Sequence, residues 1–209
     1  MNPQPNPQDS LVLSYLGLRK AVGIIGFALP FVLAIAGSGI QGSISCYYYT
    51  DMRNVLVGSL CAIGVFLMST RGYDLRDEIA GRLGCVFAIG VAFFPTSPCD
   101  GTRRGLIGYL HISFAALFFL TLAYFSIVLF TQTAPDKSPT PQKLRRNMVY
   151  RVCGYIILAC ILLIGVVSLP AVKPNVDRFM PICWFEGLAV VAFGASWLVK
   201  GETILKDKP

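Results

Sequence analysis

LIGYLHISFAALFFLTLAYFSIVLFT, residues 106–131, contains one imidazole and no carboxylate, ammonium or guanidinium group. Wound as a helix at about 1.5 Å per residue, this run is longer than the ~30 Å hydrocarbon core of a bilayer. Apolar residues do not alternate with polar ones along it, so a barrel strand is excluded and a membrane-crossing helix is predicted. Five further apolar stretches flank it, at 16–37, 52–70, 80–95, 149–169 and 181–199. The predicted fold class is therefore all-α: a polytopic membrane bundle of six transmembrane helices, forming one domain over 1–209. The stretch at 80–95 is the shortest and begins beside Arg82.

Composition agrees with this reading. The chain is 55% hydrophobic and only 14% charged, and its mean hydropathy is positive. Residues 1–15 read as a polar, Pro-rich tail, and Arg19-Lys20 precede the first apolar run. That run is too long for a signal peptide and lacks a small-residue cleavage site, so it is read as a retained helix. Residues 131–148 form the longest connection and are expected to be a flexible basic cytoplasmic loop.

Positive charge sets the orientation. With the N-terminus inside, the inner segments hold Arg19, Lys20, Arg71, Arg76, Arg82, Lys137, Lys143, Arg145, Arg146, Arg151, Lys200, Lys206 and Lys208. The outer segments hold only Arg53, Arg103, Arg104, Lys173 and Arg178. Both termini are thus predicted to be cytoplasmic, in the inner membrane if the cell is bacterial. The formal net charge of +7 follows from this asymmetry. No interleaved basic and aromatic surface points to nucleic acid. The Lys143, Arg145, Arg146 and Arg151 group would attract anionic lipid by about 1 kcal/mol per charge, or simply set topology.

Seven cysteines include no C-x-x-C pair, which argues against a zinc or redox framework. Cys61, Cys85, Cys153 and Cys160 fall within spans as small packing residues. Cys46 and Cys99 lie in the first two outer connections, where an oxidising compartment would permit a disulfide. Gly58 and Ala62 have a spacing that lets helices approach closely.

The chemistry gathers near the predicted outer face. His111 and Glu186 each lie about five residues inside a span, roughly 7–8 Å along the helix. An ionisable group at that depth is expensive and marks a candidate site. Asp51 and Arg53 open the second span, and Arg103 and Arg104 precede the fourth. The first outer connection, SGIQGSISCYYYTDMRN, adds Ser43, Ser45 and three tyrosines ending at Tyr49. Its tyrosines suit either an interfacial belt or a segment lining a pocket.

Arg53, Arg103 and Arg104 suit an anionic headgroup, because guanidinium forks match phosphate and carboxylate geometry. Ser43, Ser45 and Tyr49 would complete that ligand site. His111 and Glu186, with Asp51, are the candidate acid–base groups. A Glu–His or Glu–Arg contact that merely locks two helices together is the competing account. The single histidine precludes a three-His zinc site within one chain; no metal or other cofactor is expected. Ser43, Ser45 and Ser113 could be activated by a neighbouring base, although no nucleophile motif surrounds them.

The H-x-x-x-A-x-x-F-F pattern (His111, Ala115, Phe118, Phe119), the F-E that opens the sixth span, and the early S-x-S at Ser43 and Ser45 are similar to the DRAM/FRAG/Sfk-like six-span family. The S-x-S segment also resembles bacterial relatives of unknown function. That resemblance implies a six-helix bundle and, in some members, a link to lipid or GPI-anchor metabolism and to autophagy. More distantly, Ser43 or Ser45, Asp51 and His111 resemble the CREST membrane hydrolases, whose zinc sites use several histidines that this chain lacks. Three functions follow as expectations: recognition of a lipid headgroup or small anion, an intramembrane lipid hydrolase or transferase, or a non-catalytic scaffold. Membrane lipids are the expected partners, and an oligomer is possible.

Overall fold

A computed structural model describes residues 7–37, 39–70, 74–98, 105–133 and 138–203, with side chains from Tyr15 onward. Among the described residues there are helices and no strands. Six long helices carry the fold: α1 (Pro7–Ala36), α2 (Arg53–Met68), α3 (Leu75–Phe93), α4 (Leu106–Tyr124), α5 (Pro141–Val167) and α7 (Pro181–Lys200). A short α6 (Lys173–Val176) lies in the α5–α7 connection. Helices α1, α4, α5 and α7 are long and apolar enough to cross a membrane. By contrast α2 has 16 residues, about 24 Å of rise. Helix α3 opens with Arg76, Asp77, Glu78 and Arg82.

Three helix starts differ from the sequence expectation, α3 opening at Leu75 rather than at 80. Helix α1 starts at Pro7, inside the polar tail, yet Gly201 at the far end of α7 packs against Lys20 and Arg19. The first turns of α1 therefore precede the residues that meet the end of α7. Helix α5 starts at Pro141, which shortens the connection expected at 131–148. Thr140 accepts a hydrogen bond from Lys143 N at 3.1 Å, and Pro141 occupies the first turn. Both features favour a helix start.

Consecutive helices are neighbours, and α7 returns to pack on α1 as well as α5, closing a ring. Neighbours run antiparallel. Gly23 meets Leu198 and Gly26 meets Phe193; Gly64 meets Ala88 and Gly81 meets Leu67; Gly84 meets Thr121 and Gly90 meets Phe114. The start of α1 and the end of α7 accordingly share one end of the ring. The α1–α2, α3–α4 and α5–α7 connections share the other.

Close helix approach occurs where glycine allows it, but not at the pair the sequence singles out. Gly58 faces open space. A β-carbon at Gly194, by contrast, would lie 2.2 Å from Phe27 N, and one at Gly23 would lie 2.7 Å from Leu198 N. Close backbone approach therefore marks α1 against α7, the contact that closes the ring, and also α2 against α3, where a β-carbon at Gly81 would lie 2.5 Å from Leu67 O. The spacing rule names small residues and cannot tell which helix face they occupy.

Aromatic side chains plug the ring at its terminal end. Phe130 lies 5.1 Å from Trp197 and 5.3 Å from Tyr150, and Phe125 lies 5.7 Å from Trp197. A π-helical turn over Phe125–Leu129 makes this possible. Its extra residue per turn turns both Phe125 and Phe130 inward; both are buried, as is Ser126. Ser126 and Ser196 hydroxyls meet at 2.9 Å within this interior. The outer surface is apolar: Ile35, Val86 and Leu162 are more than half exposed. A hydrocarbon surround accounts for such a surface, which water would not favour.

Candidate functional site

The described residues between α1 and α2 fold back toward the ring, and local hydrogen bonds shape them. Gly39 has φ +98, a conformation glycine adopts without strain, and its carbonyl accepts from the Tyr47 hydroxyl at 3.0 Å. Ser43 Oγ accepts from Cys46 N at 3.0 Å and opens a 3-10 turn over Ser45–Tyr49. Cys46 is disulfide-bonded, while Cys99, the partner the sequence suggests, lies outside the described residues. The Tyr49 hydroxyl donates to Thr96 O at 2.5 Å, tying the turn to the α3–α4 connection.

Glu186 holds the same turn from the opposite side. Its Oε2 accepts from Ile44 N at 2.7 Å and from Ser45 N at 3.3 Å. A carboxylate is a favourable partner there, because the first amides of a helical turn have no acceptor within it. His111 completes the arrangement. Its Nδ1 donates to Phe94 O at 2.7 Å; a carbonyl can only accept, so the proton belongs on Nδ1 in the neutral ring. Nε2 is then free to accept the Ser45 hydroxyl proton at 3.0 Å. His111 is 5% exposed and Glu186 is half-buried.

The expected Glu186–His111 pair is thus corrected. The two groups bond different atoms of Ser45, the carboxylate its amide and the imidazole its hydroxyl. Sequence spacing placed both near one level, yet the α1–α2 connection lies between them, with Ser45 bonded to each.

Beneath Ser45 lies a cavity of ≈ 50 Å³, with walls from α1, α2, α3, α4 and α7. His111, Ala115, Phe118 and Phe119 line one side, the i, i+4, i+7, i+8 stripe of a single helix face. Leu29, Leu60 and Val91 line the others. The polar lining residues are Ser45, Tyr48, Thr96, His111 and Glu186, all near the same end of the ring. The space accommodates a few water-sized groups or a short piece of alkyl chain. It does not accommodate a whole headgroup.

Other candidates fall elsewhere. Asp51 is exposed and outside the cavity lining. It stands in the turn before α2, where a carboxylate remains solvated. Arg53 is also exposed: its guanidinium donates to the Tyr48 hydroxyl at 2.5 Å and lies 4.2 Å over the Tyr48 ring. It reaches the cavity only through Tyr48. Arg103 and Arg104 lie outside the described residues. Ser43 spends its hydroxyl on Cys46, and the exposed Ser113 donates to Tyr109 O. Among the described residues, no group of three or more His, Cys, Asp or Glu side chains is placed to hold a metal.

Sequence reasoning passed over Thr96 and the Phe94 carbonyl, and offered Tyr48 only as one of three tyrosines that could line a pocket. The tyrosine run offered a signal, since a triplet divides its members among three directions. A backbone carbonyl offers none. Comparison with known proteins finds no matching family model, no matching curated protein and no matching solved structure.

Proposed function

We propose that this chain is a multi-pass protein of six spans with both termini on the cytoplasmic side. Its outward-end cavity takes part of the apolar chain of a membrane lipid and holds the lipid's polar group near Ser45, His111 and Glu186. Packing of α2 and α3 within the ring between α1 and α4 supports counting them as spans. The excess of positive residues at the terminal end supports the orientation. One observation carries the ligand reading: a cavity with an apolar floor and polar groups confined to one end. That division matches an amphiphile, with alkyl carbon inside and an ester or hydroxyl near the surface. Arg53, with Arg103 and Arg104, would meet the anionic part of the headgroup above the cavity.

Ala115→Phe tests this reading, because the ring would claim most of a ≈ 50 Å³ space. Native mass spectrometry of the wild type should show a lipid-mass adduct that survives detergent exchange. The variant should lose it by at least about tenfold, or roughly 1.4 kcal/mol, while remaining folded. An equal adduct on a folded variant would place the lipid elsewhere.

A second reading, acyl transfer, rests on the Ser45–His111 contact at 3.0 Å. The Ser45 hydroxyl would attack an ester carbonyl carbon as His111 Nε2 takes its proton. The alcohol would leave with that proton, and water would release the acyl group in a second round. Phe94 O would steady the imidazolium through Nδ1. Yet the amides of Ile44 and Ser45, which could stabilise a developing oxyanion, are occupied by Glu186. Lipid holding is therefore the primary reading.

A further inference from the structure

Tyr47, Tyr48 and Tyr49 lie in a 3-10 turn, whose three residues per turn send consecutive side chains in three directions. Tyr47 is fully buried and donates to Gly39 O, and Tyr49 donates to Thr96 O. Tyr48 takes the third direction. It lines the cavity, and its hydroxyl and ring both meet the exposed guanidinium of Arg53, at 2.5 Å and 4.2 Å. With its oxygen accepting from Arg53, the phenol is left with an O–H to give. A guanidinium carries N–H donors and no acceptor, and here one donor is spent on Tyr48. Among the described residues Arg53 forms no ion pair, neighbouring Asp51 included. The cavity rim at this point therefore offers positive charge and donors only. One face of the Tyr48 ring, where a ligand cation could otherwise stack, already carries the guanidinium. The stacking and the hydrogen bond also hold a long side chain in one orientation, which spares a ligand part of the cost of ordering it.

We propose that the Tyr48–Arg53 pair selects the lipid by its headgroup: the cavity takes lipids of net negative charge in preference to zwitterionic ones. This rests on the lipid-cavity reading above and names the class of lipid. A phosphate oxygen accepts from the remaining guanidinium N–H groups and from the Tyr48 O–H, while the alkyl chain runs down beside Leu60 and Ala115. A choline headgroup would bring a second cation into the same space, beside a guanidinium and with one ring face already covered. Arg53 thus determines specificity, and Tyr48 positions it. A second pair at the same end supplies the contrast. Arg178, in the α5–α7 connection, is also exposed and stands 4.5 Å over the Phe179 ring, yet Phe179 does not line the cavity.

Native mass spectrometry from micelles holding equal amounts of phosphatidylglycerol and phosphatidylcholine, with matched acyl chains, tests the selection. Only the adduct that Ala115→Phe removes is counted, which leaves out lipid held on the outer surface. The wild type should carry phosphatidylglycerol over phosphatidylcholine by about tenfold, the change that one charge-assisted hydrogen bond supplies. Arg53→Gln should bring the ratio close to one without removing the adduct. Tyr48→Phe keeps the ring and loses the hydroxyl, so the ratio should fall part of the way. Arg178→Gln removes the same charge at the same end and should leave the ratio unchanged. An even wild-type ratio, in an adduct that Ala115→Phe still removes, would overturn the selection and leave the cavity reading standing. Absence of any such adduct would remove the cavity reading and the selection with it. Equal falls in Arg53→Gln and Arg178→Gln would assign the preference to general surface charge and overturn the proposal.

Discussion

Alanine at position 194 is expected to force α1 away from α7 and to lower the midpoint of thermal unfolding in detergent by roughly 6–12 °C. The argument is steric. The new methyl carbon would sit 2.2 Å from Phe27 N and 2.6 Å from Phe27 Cα. Both are backbone atoms, so no rotamer change relieves the clash. Overpacking typically costs 1–3 kcal/mol, and each kcal/mol is worth about 2–4 °C in a chain of this size. The upper end applies because this seam closes the ring. Gly58→Ala is the matched control: nothing lies within 4 Å of the added carbon, and alanine favours the helix by about 1 kcal/mol. Its midpoint should hold or rise. Equal destabilisation by both substitutions would contradict the ring described here.

A long-chain alkyl fluorophosphonate should label Ser45 if the acyl-transfer reading is right. Ser45→Ala should abolish that labelling. His111→Gln should slow it by about 10²–10⁴-fold, the range general base catalysis supplies. The two substitutions at position 186 should then separate. Glu186→Gln keeps an oxygen for the amides of Ile44 and Ser45, so labelling should fall only a few-fold. Glu186→Ala releases those amides and with them the position of the Ser45 hydroxyl, so the loss should approach that of His111→Gln. Undiminished labelling in Ser45→Ala would remove serine from the chemistry. An unlabelled wild type would end the catalytic reading and leave the lipid-holding one standing.

Much of the architecture was legible in the chain itself. A run such as 106–131, with one titratable group besides tyrosine, has few ways to satisfy its backbone except as a buried or lipid-facing helix. Short connections between such runs make neighbours antiparallel, and the ring follows once α7 meets α1. The site was legible in part. His111 and Glu186 stood out because ionisable groups at depth are costly, and Ser45 stood out through its neighbours. What joins them was not legible, because it is backbone: the amides of Ile44 and Ser45 and the carbonyl of Phe94 have no residue signature. Nor could sequence distance tell that Asp51 stays in the solvent or that Arg53 stacks on Tyr48. The Gly58–Ala62 pair failed for a related reason, since spacing identifies a stripe without saying what faces it.

The central claim is that a lipid chain enters the ring below Ser45. A phospholipid carrying a photoactivatable diazirine on its acyl chain tests this most directly, with the crosslinked residues mapped by mass spectrometry after reconstitution. The account predicts adducts on Leu60, Ala115 and Phe119, reduced in Ala115→Phe and competed by unlabelled lipid. Adducts confined to the outward-facing Ile35, Val86 and Leu162, with the cavity residues unmarked, would contradict it.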